Sequence, residues 1–90
     1  MQDNEFEWND DKAVRNFAEH GVSFELARSV FDDPFAFDLE DFREDYGEDR
    51  FNKIGMTADR LPHVTYTHRG ERVRIIELPP AGQLPTWLRA

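Results

Sequence analysis

Apolar and polar positions alternate with two different periods along this 90-residue chain. Near its start, Phe6 and Trp8 flank Glu7, which predicts a short strand because successive side chains of a strand point to opposite faces. The period then changes to that of a helix, with one apolar stripe formed by Ala13, Val14, Phe17 and Ala18. We expect this stripe to face the core.

Capping residues set the bounds of two helices. Asn9 or Asp10 suits the start of the first, since a short side-chain oxygen accepts from free N–H groups of a first turn, and His20-Gly21 suits its end. Ser23 suits the start of the second, which stops before Pro34 because the residue preceding proline avoids helical geometry. The apolar stripe of the second helix consists of Leu26, Ala27, Val30 and Phe31.

Four further strands are predicted after the helices. Phe35, Phe37 and Leu39 alternate with polar residues and indicate a half-buried strand; the others span residues 51–56, 64–67 and 72–78. Residues 40–49 read as an acidic loop and residues 57–62 contain a turn. The order β-α-α-β-β-β-β predicts an α+β fold, a small antiparallel sheet with the two N-terminal helices on one face, and a single domain over residues 1–90.

A tight hairpin fixes the faces of the last two strands. A two-residue loop at Arg69-Gly70 would pair Thr67 with Arg72, and Thr65 with Arg74. The face expected to pack on the helices then holds Val64, Tyr66, Val73 and Ile75. The other face, expected to be open, holds His63, Thr65, Thr67, Arg72, Arg74 and Ile76. Because guanidinium groups match phosphate, this face is either an anion site or a solvated sheet surface.

The charge is unevenly distributed around a net value of −8. Residues 1–49 contain 16 acidic and 4 basic residues, whereas residues 50–90 contain 3 acidic and 7 basic ones. This is either ordinary patchiness or a basic surface that meets an anion. The chain has no cysteine, no paired histidine spacing, no membrane-length apolar run and no visible signal peptide, so we expect no metal, no cofactor, no membrane partner and a cytoplasmic location.

Residues 6–34, which read FEWNDDKAVRNFAEHGVSFELARSVFDDP, resemble the opening of the BrnT family of bacterial toxins. The likeness continues at Glu48, Arg50, Ile54-Gly55, Thr67, Arg69-Gly70 and residues 72–76, so that it covers residues 5–76. From Glu77 the sequence departs from the family, which has Ser, Ala and Arg followed by an Arg-rich helix where this chain has Glu77, Leu78 and Pro79. Residues 77–90 are therefore expected to be an atypical tail.

The resemblance implies a RelE-like fold and a metal-independent ribonuclease that cleaves RNA through attack of the 2′-hydroxyl and inhibits growth and translation. It also implies a cognate BrnA-like antitoxin, through which alone the toxin would meet operator DNA. The oligomeric state is left open between a homo-oligomer and a hetero-tetramer.

Six residues form the expected site. The phosphate would be bound by Arg72, Arg74 and Arg50. Protons would be carried by His20, Lys12 or Glu48. The alternative is a catalytically impaired, toxin-like binding module that still pairs with an antitoxin, so enzymatic activity is left undecided at this stage.

Overall fold

The computed structural model of the chain describes residues 1–41, 47–56 and 62–80. Within these ranges the elements are β1 (Phe6–Glu7), α1 (Asp10–His20), α2 (Leu26–Asp32), β2 (Phe37–Asp41), β3 (Arg50–Ile54), β4 (His63–Arg69) and β5 (Arg72–Glu77). The predicted α+β class and order of elements are confirmed. Three predicted features lie outside the described residues: the middle of the acidic loop at 42–46, the turn at 57–61 and the tail at 81–90.

The sheet has five strands in the order β1-β5-β4-β3-β2. Strands β2 to β5 are antiparallel neighbours, as expected. Strand β1 instead pairs in parallel with β5, with Phe6 opposite Val73, which makes the sheet mixed. The two helices do not connect this parallel pair: they lead from β1 to β2 at the opposite edge, which runs antiparallel to β1, and β5 reaches β1 only after three antiparallel pairings.

The predicted ends of α1 agree with the structure. The Asn9 side chain accepts from the backbone N–H of Lys12 at 3.0 Å. Gly21 ends the helix at φ 69°, a left-handed conformation that glycine adopts without a Cβ penalty, and its N–H donates to the Phe17 carbonyl at 2.8 Å. Helix α2 begins at Leu26 without a side-chain cap, three residues after the expected cap at Ser23.

The predicted orientation of α1 was wrong. Val14 and Phe17 of the apolar stripe are 69% and 60% exposed, and the helix buries Asn16 instead. The reason is that the Asn16 side chain bonds two backbone groups of neighbouring segments, the Val22 carbonyl and the Leu78 N–H. Satisfying those buried groups turns the polar flank of α1 toward the sheet.

The core lies between the helices and one face of the sheet. Its buried side chains are Phe6, Trp8, Val22, Phe24, Ala27, Val30, Val64, Tyr66, Ile75 and Leu78. They include three of the four side chains expected to face the helices, while the fourth, Val73, is half-buried against them. Phe35 and Phe37, expected on a half-buried strand, are 76% and 46% exposed: Phe35 lies in the turn before β2, and β2 itself is at the edge of the sheet.

The β4–β5 hairpin turns one residue later than predicted. Its loop is Gly70-Glu71, so Thr67 lies opposite Arg74 rather than Arg72. Gly70 has φ 60°, as tight hairpin turns require. Moving the loop by one residue shifts each pair by two positions, and every side chain of the hairpin near the loop therefore keeps its predicted face.

A β-bulge interrupts the hairpin farther from its loop. Tyr66 pairs with Ile75, but Thr65 pairs with Glu77, so β5 carries one extra residue, Ile76. The extra residue changes the alternation, leaving Glu77 exposed and placing the fully buried Leu78 in the core. No helix in the described part of the chain is long and apolar enough to cross a membrane.

Candidate active site

His20 is fixed at the end of α1 by the end of β5. Its Nδ1 lies 3.0 Å from the carbonyl oxygen of Leu78. A carbonyl oxygen only accepts hydrogen bonds, so Nδ1 carries the proton and the other ring nitrogen, Nε2, is the one left to exchange protons with a ligand. This arrangement of a histidine with one nitrogen held by the backbone is typical of proton-transfer sites.

Asn16, one helical turn before His20, also links α1 to the end of β5. Its Nδ2 donates to the Val22 carbonyl at 2.9 Å, and its Oδ1 accepts from the Leu78 N–H at 3.2 Å. Leu78 is fully buried, so both of its backbone groups are held by α1 while its side chain is held by the core. The position of His20 relative to β5 is therefore determined by packing and by hydrogen bonds together.

A groove of about 270 Å³ lies along this junction. Its lining residues are Lys12, Arg15, Asn16, Glu19, His20, Ile76 and Glu77. Two basic side chains, two carboxylates and an oriented imidazole thus border one groove of a size that holds a small ligand or one unit of a polymer. His20 and Lys12 are brought together here, as two of the six expected site residues.

Arg15 and Glu19 were missed by the sequence reasoning. They follow Lys12 at intervals of three and seven residues, so all three share one flank of α1. That spacing was a usable signal. The expectation that the apolar stripe of α1 faces the core placed this polar flank on the outside of the domain.

A second group of expected residues lies at the hairpin end of the sheet. Glu48 accepts from Arg50 Nε at 3.4 Å, and its other carboxylate oxygen lies 3.9 Å from Arg69. A smaller hollow of about 170 Å³ opens beside it, lined by Glu48, Asp49, Phe51, Thr67 and His68. His68 is exposed at this hollow, with its ring 5.6 Å from that of Phe51.

Arg72 and Arg74 of β5 form hydrogen bonds with the N-terminal segment. Arg74 binds Glu7 of the neighbouring strand at 2.6 Å, and Arg72 Nε donates to the carbonyl oxygen of Asp3 at 2.8 Å. Both side chains are half-buried. Arg74 lies two residues before Ile76, roughly 7 Å along the strand, and so stands between the hairpin end and the α1 groove.

The Asp3 carboxylate orders this N-terminal segment. It accepts from the backbone N–H groups of Phe6 and Glu5 at 2.7 and 2.8 Å and binds Arg28 at 2.5 Å. These contacts, first the bond from Phe6 and next that from Arg28, lower the pKa of Asp3 to about 2. The Asp3 carbonyl that accepts from Arg72 therefore belongs to a turn that several hydrogen bonds stabilise.

The sheet face that was expected to be open to solvent is buried along β3 and β4. His63, Thr65 and Thr67 are buried, together with Asn52 of β3. The Asn52 Oδ1 lies 2.7 Å from both His63 Nε2 and the Thr65 hydroxyl, and Thr67 donates to the Asp49 carbonyl at 2.6 Å. These side chains pair with one another and with the backbone, so the predicted continuous arginine-threonine surface is limited to the β5 side.

Four of the six expected residues thus occupy two separate places, and the other two, Arg72 and Arg74, lie on β5 against the N-terminal segment. His20 and Lys12 border the α1 groove, whereas Arg50 and Glu48 lie at the hairpin end. Among the described residues, no group of three or more histidine and carboxylate side chains is arranged to hold a metal ion.

This small α+β domain places His20, Lys12 and Arg15 of α1 beside the end of β5, the strand that carries Arg72 and Arg74. A model of the family described as "Ribonuclease toxin, BrnT, of type II toxin-antitoxin system" matches residues 8–81. The chain belongs to this family. No curated protein gives a match. As a type II toxin it has a cognate antitoxin as partner.

Proposed function

We propose that the chain is a metal-independent endoribonuclease that cleaves RNA, inhibits translation and growth, and is neutralised by a BrnA-like antitoxin in the cytoplasm. The observation that carries the proposal is the His20 imidazole, held through Nδ1 by the Leu78 carbonyl in a groove that also holds Lys12 and Arg15. RNA cleavage without a metal needs a base, an acid and cations near the phosphate, and this groove offers all three.

The reaction assigns one role to each side chain. The ribose 2′-oxygen attacks the phosphorus, and its proton passes to His20 Nε2. The bond from phosphorus to the 5′-oxygen breaks, and Lys12 gives that oxygen a proton. The products are a 2′,3′-cyclic phosphate and a 5′-hydroxyl end. Arg15 stabilises the negative charge that builds up on the phosphoryl oxygens in the transition state.

The remaining arginines bind the RNA backbone beyond the cleaved bond. Arg74 is about one phosphate spacing from the groove, and Arg72 and Arg50 continue toward the hairpin end, where Glu48 holds Arg50 in place. Phosphates bound along this line would direct the strand across the groove.

The alternative is a toxin-like module that binds its antitoxin but no longer cleaves RNA. It is favoured by the observation that the three expected arginines already have partners within the chain: Glu48 for Arg50, the Asp3 carbonyl for Arg72 and Glu7 for Arg74. An arginine held in this way binds phosphate only if the ligand competes with that partner.

Incubation of the purified protein with end-labelled RNA in the presence of EDTA tests both functions. We expect cleavage that leaves 2′,3′-cyclic phosphate ends, and a loss of about 100-fold or more in rate for His20→Gln. The matched control is His68→Gln, which removes an exposed histidine at the other end of the sheet and should leave the rate unchanged.

Two outcomes would contradict the proposal. Equal rates for His20→Gln and the parent protein would exclude His20 as the base. No cleavage by the parent protein, together with a stable complex with its antitoxin, would establish the non-catalytic alternative.

A further inference from the structure

Helix α1 presents an apolar surface that its own fold does not cover. Val14 and Phe17 are 69% and 60% exposed on the flank of α1 that points away from the sheet. They border a groove of about 340 Å³, whose lining is Trp8, Ala13, Val14, Phe17, Ser23, Phe24 and Glu25. Large apolar side chains at the border of an apolar groove are typical of a protein-binding surface rather than of a solvated helix.

The floor of this groove is rigid. Trp8 and Phe24 are both buried, and their rings meet edge to face with centroids 5.8 Å apart. A groove with a packed floor needs no rearrangement before binding, so little conformational entropy is lost when a partner enters. Aromatic side chains in such preformed positions contribute strongly to binding.

The rim of the groove is acidic. Asp10 and Asp11 occupy the exposed first turn of α1, and Glu25 lines the groove itself. Asp10 pairs with the N-terminal ammonium at 2.9 Å and Glu25 with Arg28 at 3.0 Å, but these side chains remain 80% and 62% exposed, so each carboxylate can accept a further cation. None of the described residues that line it is basic. The rim disfavours RNA, and it disfavours a second copy of the chain, which carries the same acids and a net charge of −8.

A partner that fits this surface has an apolar face bordered by cations, as in a basic amphipathic helix. We propose that the groove binds such a helix of the cognate antitoxin, with its apolar face on Val14 and Phe17 and its lysine or arginine side chains on the acidic rim. The inference rests on the proposed neutralisation by an antitoxin.

The position of the groove explains how binding can inhibit. Phe17 and Lys12 are five residues apart, about 140° around the same helix, so the two grooves lie on opposite flanks of α1. An antitoxin anchored on the apolar flank needs to extend over only one helix diameter, about 10 Å, to cover His20. The antitoxin and RNA then exclude each other from the His20 groove, although the antitoxin is held mainly by the apolar flank of α1.

Isothermal titration with the purified cognate antitoxin tests this surface without requiring RNA cleavage. We expect Phe17→Asp and Val14→Asp each to weaken binding at least about tenfold. Both positions are exposed, so the variants should keep the far-ultraviolet circular dichroism spectrum of the parent protein. The matched control is Phe35→Asp, at the opposite end of α2, which should bind with unchanged affinity.

The outcomes separate the possible occupants. Parental affinity for both Phe17→Asp and Val14→Asp would refute the proposal, and so would stronger binding by Asp11→Lys, since the partner would then be acidic. If Phe17→Asp only converts a dimer of the chain into a monomer in sedimentation experiments, the groove is a contact between copies. Loss of antitoxin binding supports the proposal whether or not the parent protein cleaves RNA.

Discussion

Replacement of Asn16 by alanine should lower the free energy of unfolding more than an alanine substitution at an exposed polar position does. The Asn16 side chain is the partner of two buried backbone groups, the Val22 carbonyl and the Leu78 N–H. Each group left without a partner costs about 1–3 kcal/mol, and alanine regains only about 0.5 kcal/mol through its helix propensity. We therefore expect a decrease of about 3 kcal/mol in the free energy of unfolding, or roughly 15 °C in Tm for a domain of this size.

Urea unfolding followed by circular dichroism measures this difference. The matched control is Asn4→Ala, the same substitution at an exposed position, which should change the free energy of unfolding by less than about 0.5 kcal/mol. A value for Asn16→Ala within that same limit would refute the argument, because it would mean that the two backbone groups find water or other partners at no cost.

Two further predictions concern pH. The pKa of Tyr66 is raised above its usual 10.0, first by burial and next by the hydrogen bond that the Tyr66 hydroxyl donates to Asp38 at 2.6 Å. The stability that Tyr66 contributes is therefore complete below pH 10 and is lost as the pH rises beyond it. Urea midpoints between pH 9 and about 11.5 should fall less steeply for Tyr66→Phe than for the parent protein; parallel curves would contradict this. For Asp3, whose pKa is lowered from 3.8 to about 2, the contribution is present above pH 3.8 and is lost as the pH falls toward 2. Asp3→Asn should remove this acid-dependent loss, and an unchanged acid unfolding curve would show that its bonds to Phe6 and Arg28 contribute nothing.

Local patterns predicted the elements of the fold well. The strand at Phe6, the two helices and the four later strands follow from periodicity and from caps such as Asn9 and Gly21, which depend on nearby residues alone. Near its loop, the faces of the hairpin were also predicted correctly despite the wrong loop residues, because an error of two positions in pairing leaves the alternation unchanged.

Features that depend on distant contacts were not accessible in this way. The outward turn of Val14 and Phe17 is decided by Asn16, whose partner Leu78 lies 62 residues later. The bulge at Ile76 and the burial of Asn52 likewise depend on how separate strands meet. The candidate site was therefore predicted as one cluster, whereas the structure divides its residues between two ends of the sheet.

The parallel pairing of β1 with β5 has a consequence for how the protein is made. Glu7 meets Arg74 across 67 residues of sequence, and His20 meets Leu78 across 58. A chain emerging from the ribosome with its N-terminus first must hold β1 and α1 without these partners until β5 and Leu78 have been synthesised. The groove proposed to cleave RNA is thus completed only after Leu78 has been synthesised, and a nascent chain that lacks Leu78 lacks the carbonyl that orients His20.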